Sequence, residues 1–261
     1  MLQTYRDHWP LTIRQIFYRL VGVYNYDKTD RAYKRLCECM VMARRARVIK
    51  FSAIRDDGWT RRNPRCYDDP DDLWRTFKNT AKYYVKDKRI SQPYDVYLLA
   101  EAAGMLPQLA RVADPYSVPA MSSGGFDSLT VKYDMAEEVK RNNKPAIFLH
   151  VGDYDPSGVC IFDSLAADVI AFSDGLASFE RVALTPEQIA EYNLPTAPAK
   201  PTDKRGNSVK ETCQAEALPP DVLAGIVNQA IINKYDKAQF EADKRAEVEE
   251  REALIQRLET L

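Results

Sequence analysis

The stretch KPAIFLHVGDYDPSG, residues 144–158, sets the fold class. Its first half is a near-continuous apolar run, as expected of a strand buried on both faces of a parallel sheet. Its second half carries Asp153 and Asp155, followed by Pro156 and Gly158. Residues i and i+2 of an extended chain point the same way, so the two carboxylates can face one spot. Pro156 and Gly158 suit a turn that aims the strand end outward. A polar turn with no further role would carry the same residues. In open parallel sheets, however, active groups gather at the carboxyl ends of strands.

A second apolar run, DVYLLAE (95–101), ends on Glu101, an acid that no turn requires. Three carboxylates close together each disfavour ionisation of the others. A hard divalent cation removes that conflict, and Mg²⁺ accepts a few carboxylates while keeping waters. Glu101, Asp153 and Asp155 are therefore the candidate metal ligands. Around these runs, strands alternate with helices. A helix is expected over AAGMLPQLARVA, a short strand in SVPAMSS, and a helix over FDSLTVKYDMAEEVKRN. Another helix follows in VCIFDSLAADVIAF, a strand near 180–184, and a helix opening at LTPEQ with Thr185 as cap and Pro186 in its first position. This is the order of a parallel sheet covered by helices. Residues 193–208 read as a Pro-rich loop, and 219–235 and 236–261 as helices, the last strongly charged.

Apolar residues make up 45% of the 261-residue chain and charged residues 29%, ordinary values for a globular protein. No run reaches the length of a membrane span, and MLQTYRDHWP lacks the apolar core of a signal peptide. Five cysteines without a CxxC pair, and two histidines, argue against a zinc site and for reduced thiols in a cytoplasmic setting. The net charge of −1 conceals an asymmetry. Residues 1–66 hold 15 Lys/Arg against 6 Asp/Glu, a net +9, and the remainder holds 22 against 32, a net −10. A basic N-terminal third is an electrostatic footprint for a polyanion.

That third has the order of a winged helix. TIRQIFYRLVGVY (12–24) has Ile13, Ile16, Phe17, Leu20 and Tyr24 at helical spacing, and residues 28–47 form a second helix with a basic last turn. VIKFSAI then alternates like a strand, DDGW turns, and TRRNPRCY returns. The hairpin would be a wing presenting Arg55, Arg61, Arg62 and Arg65 to DNA phosphates. Four segments follow: a winged-helix domain over 1–67, a helical linker over 68–93, a metal-binding α/β domain over 94–235, and a charged C-terminal helix over 236–261. Within the first helix, Tyr18 falls roughly 140° from Ile13, off the apolar stripe, with Arg14 one turn before it.

A glutamate after the first strand and Asp-x-Asp after a later one resemble the Toprim domain of topoisomerases, primases and some nucleases. RQIFY (14–18) on a basic winged helix ahead of such a domain resembles the A subunit of type IIB topoisomerases and the related meiotic double-strand-break protein, with a small free-standing variety nearest in size. The resemblance spans about residues 10–66 and 94–172. It implies that Tyr18 attacks a DNA phosphodiester to give a 5′-phosphotyrosyl link, with Arg14 and Glu101 assisting and Mg²⁺ as cofactor. It also implies double-stranded DNA as substrate and a homodimer in which each tyrosine meets its partner's metal site. No ATPase signature is present, so an ATP-driven cycle would need a separate ATPase subunit. The chain departs from the family in three places: Gln15 replaces an acidic residue, Ala102 a lysine, and Ser123-Gly124-Gly125 a Gly-Lys-Gly. Lys200, Lys204 and Arg205 are candidate substitutes for the lost cations. A metal-dependent Toprim nuclease and a non-catalytic DNA-binding or assembly protein are the alternative readings.

Overall fold

A computed structural model describes residues 1–55, 64, 66–122, 128–199 and 209–260. In chain order the helices are α1 (Ile13–Tyr24), α2 (Asp30–Arg45), α3 (Pro70–Ala81), α4 (Leu106–Ala113), α5 (Leu129–Asn142), α6 (Pro156–Phe172), α7 (Pro186–Glu191), α8 (Pro220–Ile232) and α9 (Lys237–Glu259). The strands are β1 (Asp95–Ala100), β2 (Ala120–Ser122), β3 (Ala146–Val151), β4 (Ala177–Ala183), β5 (Ala197–Pro198) and β6 (Glu211–Thr212). The protein is a mixed α/β structure. Its main sheet is parallel throughout, in the order β2-β1-β3-β4, flanked by helices.

Strand alternation sorts the side chains into two layers. Val96, Leu98, Leu149 and Val151 face one way, into a core shared with Ile16 and Phe17 of α1, Leu109 of α4, and Leu223 and Val227 of α8. Tyr97, Leu99 and Phe148 face the other way, against Met135 and Val139 of α5 and Leu165 and Val169 of α6. On that second face the rings of Tyr97, Phe148 and Phe179 stack across three strands, with centroids 4.8 and 4.7 Å apart. The N-terminal helices thus belong to the same continuous core as the sheet.

Start signals act as the sequence suggests. Thr12 accepts from the Gln15 amide at 3.1 Å while Gln15 accepts from the Thr12 amide at 2.9 Å, a reciprocal capping box opening α1. Thr185 caps α7 with Pro186 in its first turn.

Five expectations need correction. Residues 48–54 are not a strand; Phe51–Ala53 form a 3-10 turn, and only Ile54 makes a bridge, to Leu11. Most of the return limb of the expected hairpin, including Arg61, Arg62 and Arg65, lies outside the described residues, as do Ser123–Gly125 and Lys200, Lys204 and Arg205. A winged helix is therefore not shown. The linker expected to be helical over 68–93 is a helix only from Pro70 to Ala81. Residues 84–88 instead run beside α9, where Lys88 pairs with Glu247 at 2.6 Å and Arg251 donates to the Tyr84 carbonyl at 2.8 Å. The Pro-rich segment is not all loop, because Ala197–Pro198 pairs antiparallel with Glu211–Thr212. Pro156 and Gly158 open α6 rather than forming a turn. Finally, Tyr18 is not off the buried side of α1, as described below. No helix among the described residues is long and apolar enough to cross a membrane.

Candidate functional site

The chain moves from β1 outward to β2, then crosses back to β3 on the other side of β1. Strand order reverses between β1 and β3, which is where open parallel sheets form a ligand crevice. Ala100 at the end of β1 pairs with Val151 at the end of β3. The next residues in each strand are the site: Glu101 on one side, Gly152 and Asp153 on the other.

Glu101 extends the ladder by one bond, its amide donating to the Val151 carbonyl at 2.9 Å. Its side chain turns across the crevice, and Oε2 accepts from the Asp153 amide at 3.0 Å. Gly152 permits this approach, since an added Cβ would fall 2.5 Å from Glu101 Oε2. Gly158 serves a similar purpose. A Cβ there would lie 2.7 Å from the Asp153 carbonyl, 3.1 Å from Glu101 Oε2 and 3.3 Å from Asp155 Oδ1. The Glu101 and Asp155 carboxylates thus converge on the first turn of α6. Asp155 is also that helix's cap, accepting from the Gly158 amide at 2.6 Å. Asp153 Oδ1 accepts from the Ala215 amide at 2.8 Å.

Burial pushes Glu101 up to about 7, with the Asp153 and Asp155 charges adding to the shift. Burial also raises Asp153, against the Ala215 amide and the charges of Arg14 and Arg181. The donor set is three hard carboxylates, of which Glu101 and Asp153 are held back from ionising, and carboxylate oxygens suit a hard divalent cation. Among the described residues, no three His, Cys, Asp or Glu side chains stand at ion-binding geometry. The three carboxylates are instead spread over separate hydrogen-bond partners.

Arg181 was not singled out from the sequence. From β4 its guanidinium donates to the Gly152 and Asp153 carbonyls, and to that of Leu184 at 3.1 Å. It fixes the backbone under the acids and sets a half-buried cation behind them. The available signal was an arginine inside a strand of a covered sheet, where a charge needs partners.

Tyr18 lies beside these acids within the same chain. The residue is 8% exposed and belongs to the main core, although the helical wheel places it off the apolar stripe. Gln15 to Arg19 are all buried, and the segment 213–217 meets Tyr18 through Gln214 and Arg19 through the Ala217 carbonyl. The Tyr18 hydroxyl donates to Gln214 Oε1 at 2.8 Å. Burial pushes the phenol up to about 12, with Arg14 opposing and Asp153 reinforcing. Arg14 Nε stands 4.0 Å from Glu216 Oε2. Three consecutive residues therefore each hold one candidate group: Gln214 holds Tyr18, Ala215 holds Asp153 and Glu216 pairs with Arg14. Local sequence carries no signal for this strap, because Tyr18 lies 196 positions from Gln214 and Asp153 lies 62 from Ala215.

Arg55 stands with Arg14 and Arg44 along a cavity of about 380 Å³ that also meets Ala102 and Gly104, just past Glu101. Arg44, missed from the sequence, packs its guanidinium over Phe51, 4.7 Å from the ring centroid. Gln15, where the family resemblance expects an acid, is 2% exposed and donates to Gln108 Oε1 at 2.6 Å. No protein-family model matches this chain, and no curated protein matches it.

Proposed function

We propose that this protein cleaves and rejoins double-stranded DNA by Mg²⁺-dependent tyrosine transesterification, in the manner of the type IIB topoisomerase A subunit, with a Toprim-type acidic centre. The observation that carries this reading is the strap Gln214–Glu216, which keeps a phenol, a guanidinium and a carboxylate together at the topological switch point. In this reaction the Tyr18 oxygen bonds to phosphorus and a DNA hydroxyl leaves, so the energy of the broken ester is kept in the phosphotyrosine. The phenol proton passes to water in the cavity beside Tyr18. Arg14 holds a phosphate oxygen and steadies the charge that develops there. Glu101, Asp153 and Asp155 would hold the metal, which supplies Lewis-acid stabilisation of phosphate charge. Arg55 and Arg44, with Arg61, Arg62 and Arg65, would carry the neighbouring DNA backbone. A homodimer would place two sites on opposite strands, and a separate ATPase subunit would be needed for an ATP-driven cycle.

The test is denaturing electrophoresis of end-labelled duplex DNA incubated with protein and Mg²⁺. A protein-linked band lost in Tyr18→Phe supports the reading; its absence from an actively cutting wild type overturns it. A second reading, hydrolysis by metal and water in a Toprim nuclease, is favoured by the burial of Tyr18. It predicts cutting that survives Tyr18→Phe.

A further inference from the structure

Lys28 has no part in the motifs read from the sequence, yet it is fixed at the tyrosine. Its Nζ donates to the carbonyls of Pro195 and Thr196, both at 2.9 Å, and lies 5.8 Å from the centre of the Tyr18 ring. Those carbonyls precede β5, on one leg of the β5–β6 hairpin. Gln214, which holds the Tyr18 hydroxyl, follows the other leg. Both legs thus converge on Tyr18, one through Lys28 and one through Gln214. Between them opens a cavity of about 230 Å³ lined by Arg14, Tyr18, Lys28, Asp30, Tyr33 and Gln214. Its charged side chains are two cations and one carboxylate.

Lysine presents three N–H donors. Here two are spent on neutral carbonyls, and no carboxylate among the described residues pairs with the ammonium. Fixing a long side chain costs entropy. Lys28 is solvent-exposed, so its remaining donor, held beside the phenol, is open to an anionic group brought by a ligand. Arg14 lies on the other side of the same cavity.

We infer that Lys28 and Arg14 form a phosphodiester subsite beside the Tyr18 hydroxyl, which takes a backbone phosphate of a DNA strand. This rests on the DNA reading above.

The test measures binding apart from chemistry. Fluorescence anisotropy of a labelled duplex is read in EDTA over a range of salt, for wild type, Lys28→Gln, Lys28→Arg and Lys140→Gln. Lys140 pairs with Glu137 and Asp174 on α5 and beyond, away from the cavity. Lys28→Gln should flatten the slope of log affinity against log salt by about 0.9, the share of one phosphate contact. Lys28→Arg should keep the slope, and Lys140→Gln should leave it unchanged. An unaltered slope in Lys28→Gln, or an equal loss in Lys140→Gln, overturns the subsite while leaving the DNA reading intact. A Lys28-dependent slope, with Mg²⁺-dependent cutting that leaves no covalent adduct in the electrophoresis above, supports the subsite and sinks the transesterase. A wild type that binds no duplex overturns both.

Discussion

Tyr18 and Gln214 meet at 2.8 Å, hydroxyl to amide oxygen, across 196 positions of sequence. A neutral acceptor keeps the phenol protonated and correctly turned without removing its proton. The next residue's amide holds Asp153. This contact therefore fixes the distance between the candidate nucleophile and the acids.

Tyr18→Phe should abolish the covalent DNA adduct while changing stability little. The ring stays packed against Phe17, whose centroid is 5.5 Å away, and only the bond to Gln214 is lost. The expected cost is about 1 kcal/mol. Urea unfolding of wild type and variant measures it. A loss several times larger would make Tyr18 chiefly a core residue.

The acids were legible because a parallel strand buried on both faces announces itself as an apolar run, and Glu101, Asp153 and Asp155 follow such runs directly. The switch point could not be read the same way, since strand order is a long-range property. The burial of Tyr18 was hidden for a related reason. Helical periodicity weighs a residue against its own helix, whereas Tyr18 is covered by Gln214 and Ala215 from the far end of the chain. The expected wing strand failed at 48–54 because β-like alternation of side chains does not supply a pairing partner, and only Ile54 finds one, in Leu11.

Asp155 has two duties that substitution can separate. Asp155→Asn keeps an oxygen for the Gly158 amide and removes the charge, so α6 should stay capped while Mg²⁺ affinity falls at least tenfold. Asp155→Ala should lose the cap as well, at a cost of about 1 kcal/mol. Calorimetric Mg²⁺ titration beside urea melts checks both. Wild-type Mg²⁺ binding by Asp155→Asn would remove it from the ligand set.

Gln15 stands where the resemblance to type IIB topoisomerases leads one to expect an acid, and its neighbours explain why an amide suits it here. Its Nε2 donates to Gln108 Oε1, and Gln108 in turn donates to the Pro220 carbonyl at 2.8 Å, joining α1, α4 and α8. Gln15→Glu keeps an acceptor for the Thr12 amide but sets a carboxylate against a carbonyl oxygen in a buried place. It should destabilise the protein by about 1–3 kcal/mol. A thermal shift upward would mean that the polar chain between the helices is not what binds α1.

The phenol gives a pH dependence with a definite sign. Burial pushes Tyr18 up to about 12, so the neutral form dominates through the working range. If attack needs the phenolate, adduct formation under single-turnover conditions should rise about tenfold per pH unit between roughly pH 7 and 9, without a plateau. Arg14 is the charge that opposes the shift. Arg14→Gln should lower the whole profile. A flat wild-type profile would place proton loss after the rate-limiting step.

The arrangement of Tyr18 and Asp153 bears on assembly. The family resemblance implies a tyrosine that reaches its partner's acids, and separate N-terminal and metal-binding domains would make that the simple route. In this structure α1 shares the core of its own sheet, and the strap 214–216 joins Tyr18, Asp153 and Arg14 of one chain. A single chain can therefore carry a whole site, and a symmetric pair would serve to cut two strands rather than to complete each centre. Mixing Tyr18→Phe chains with Asp153→Ala chains tests this, because neither has an intact site of its own. Sites held within one chain predict no adduct and no nicking from the mixture, even after subunit exchange has been demonstrated by fluorescence transfer. Nicking restored to about a quarter of the wild-type rate, as expected when half of the randomly paired dimers each hold one composite site, would show that the tyrosine crosses to a partner, and that the strap must release Tyr18 before DNA is cut.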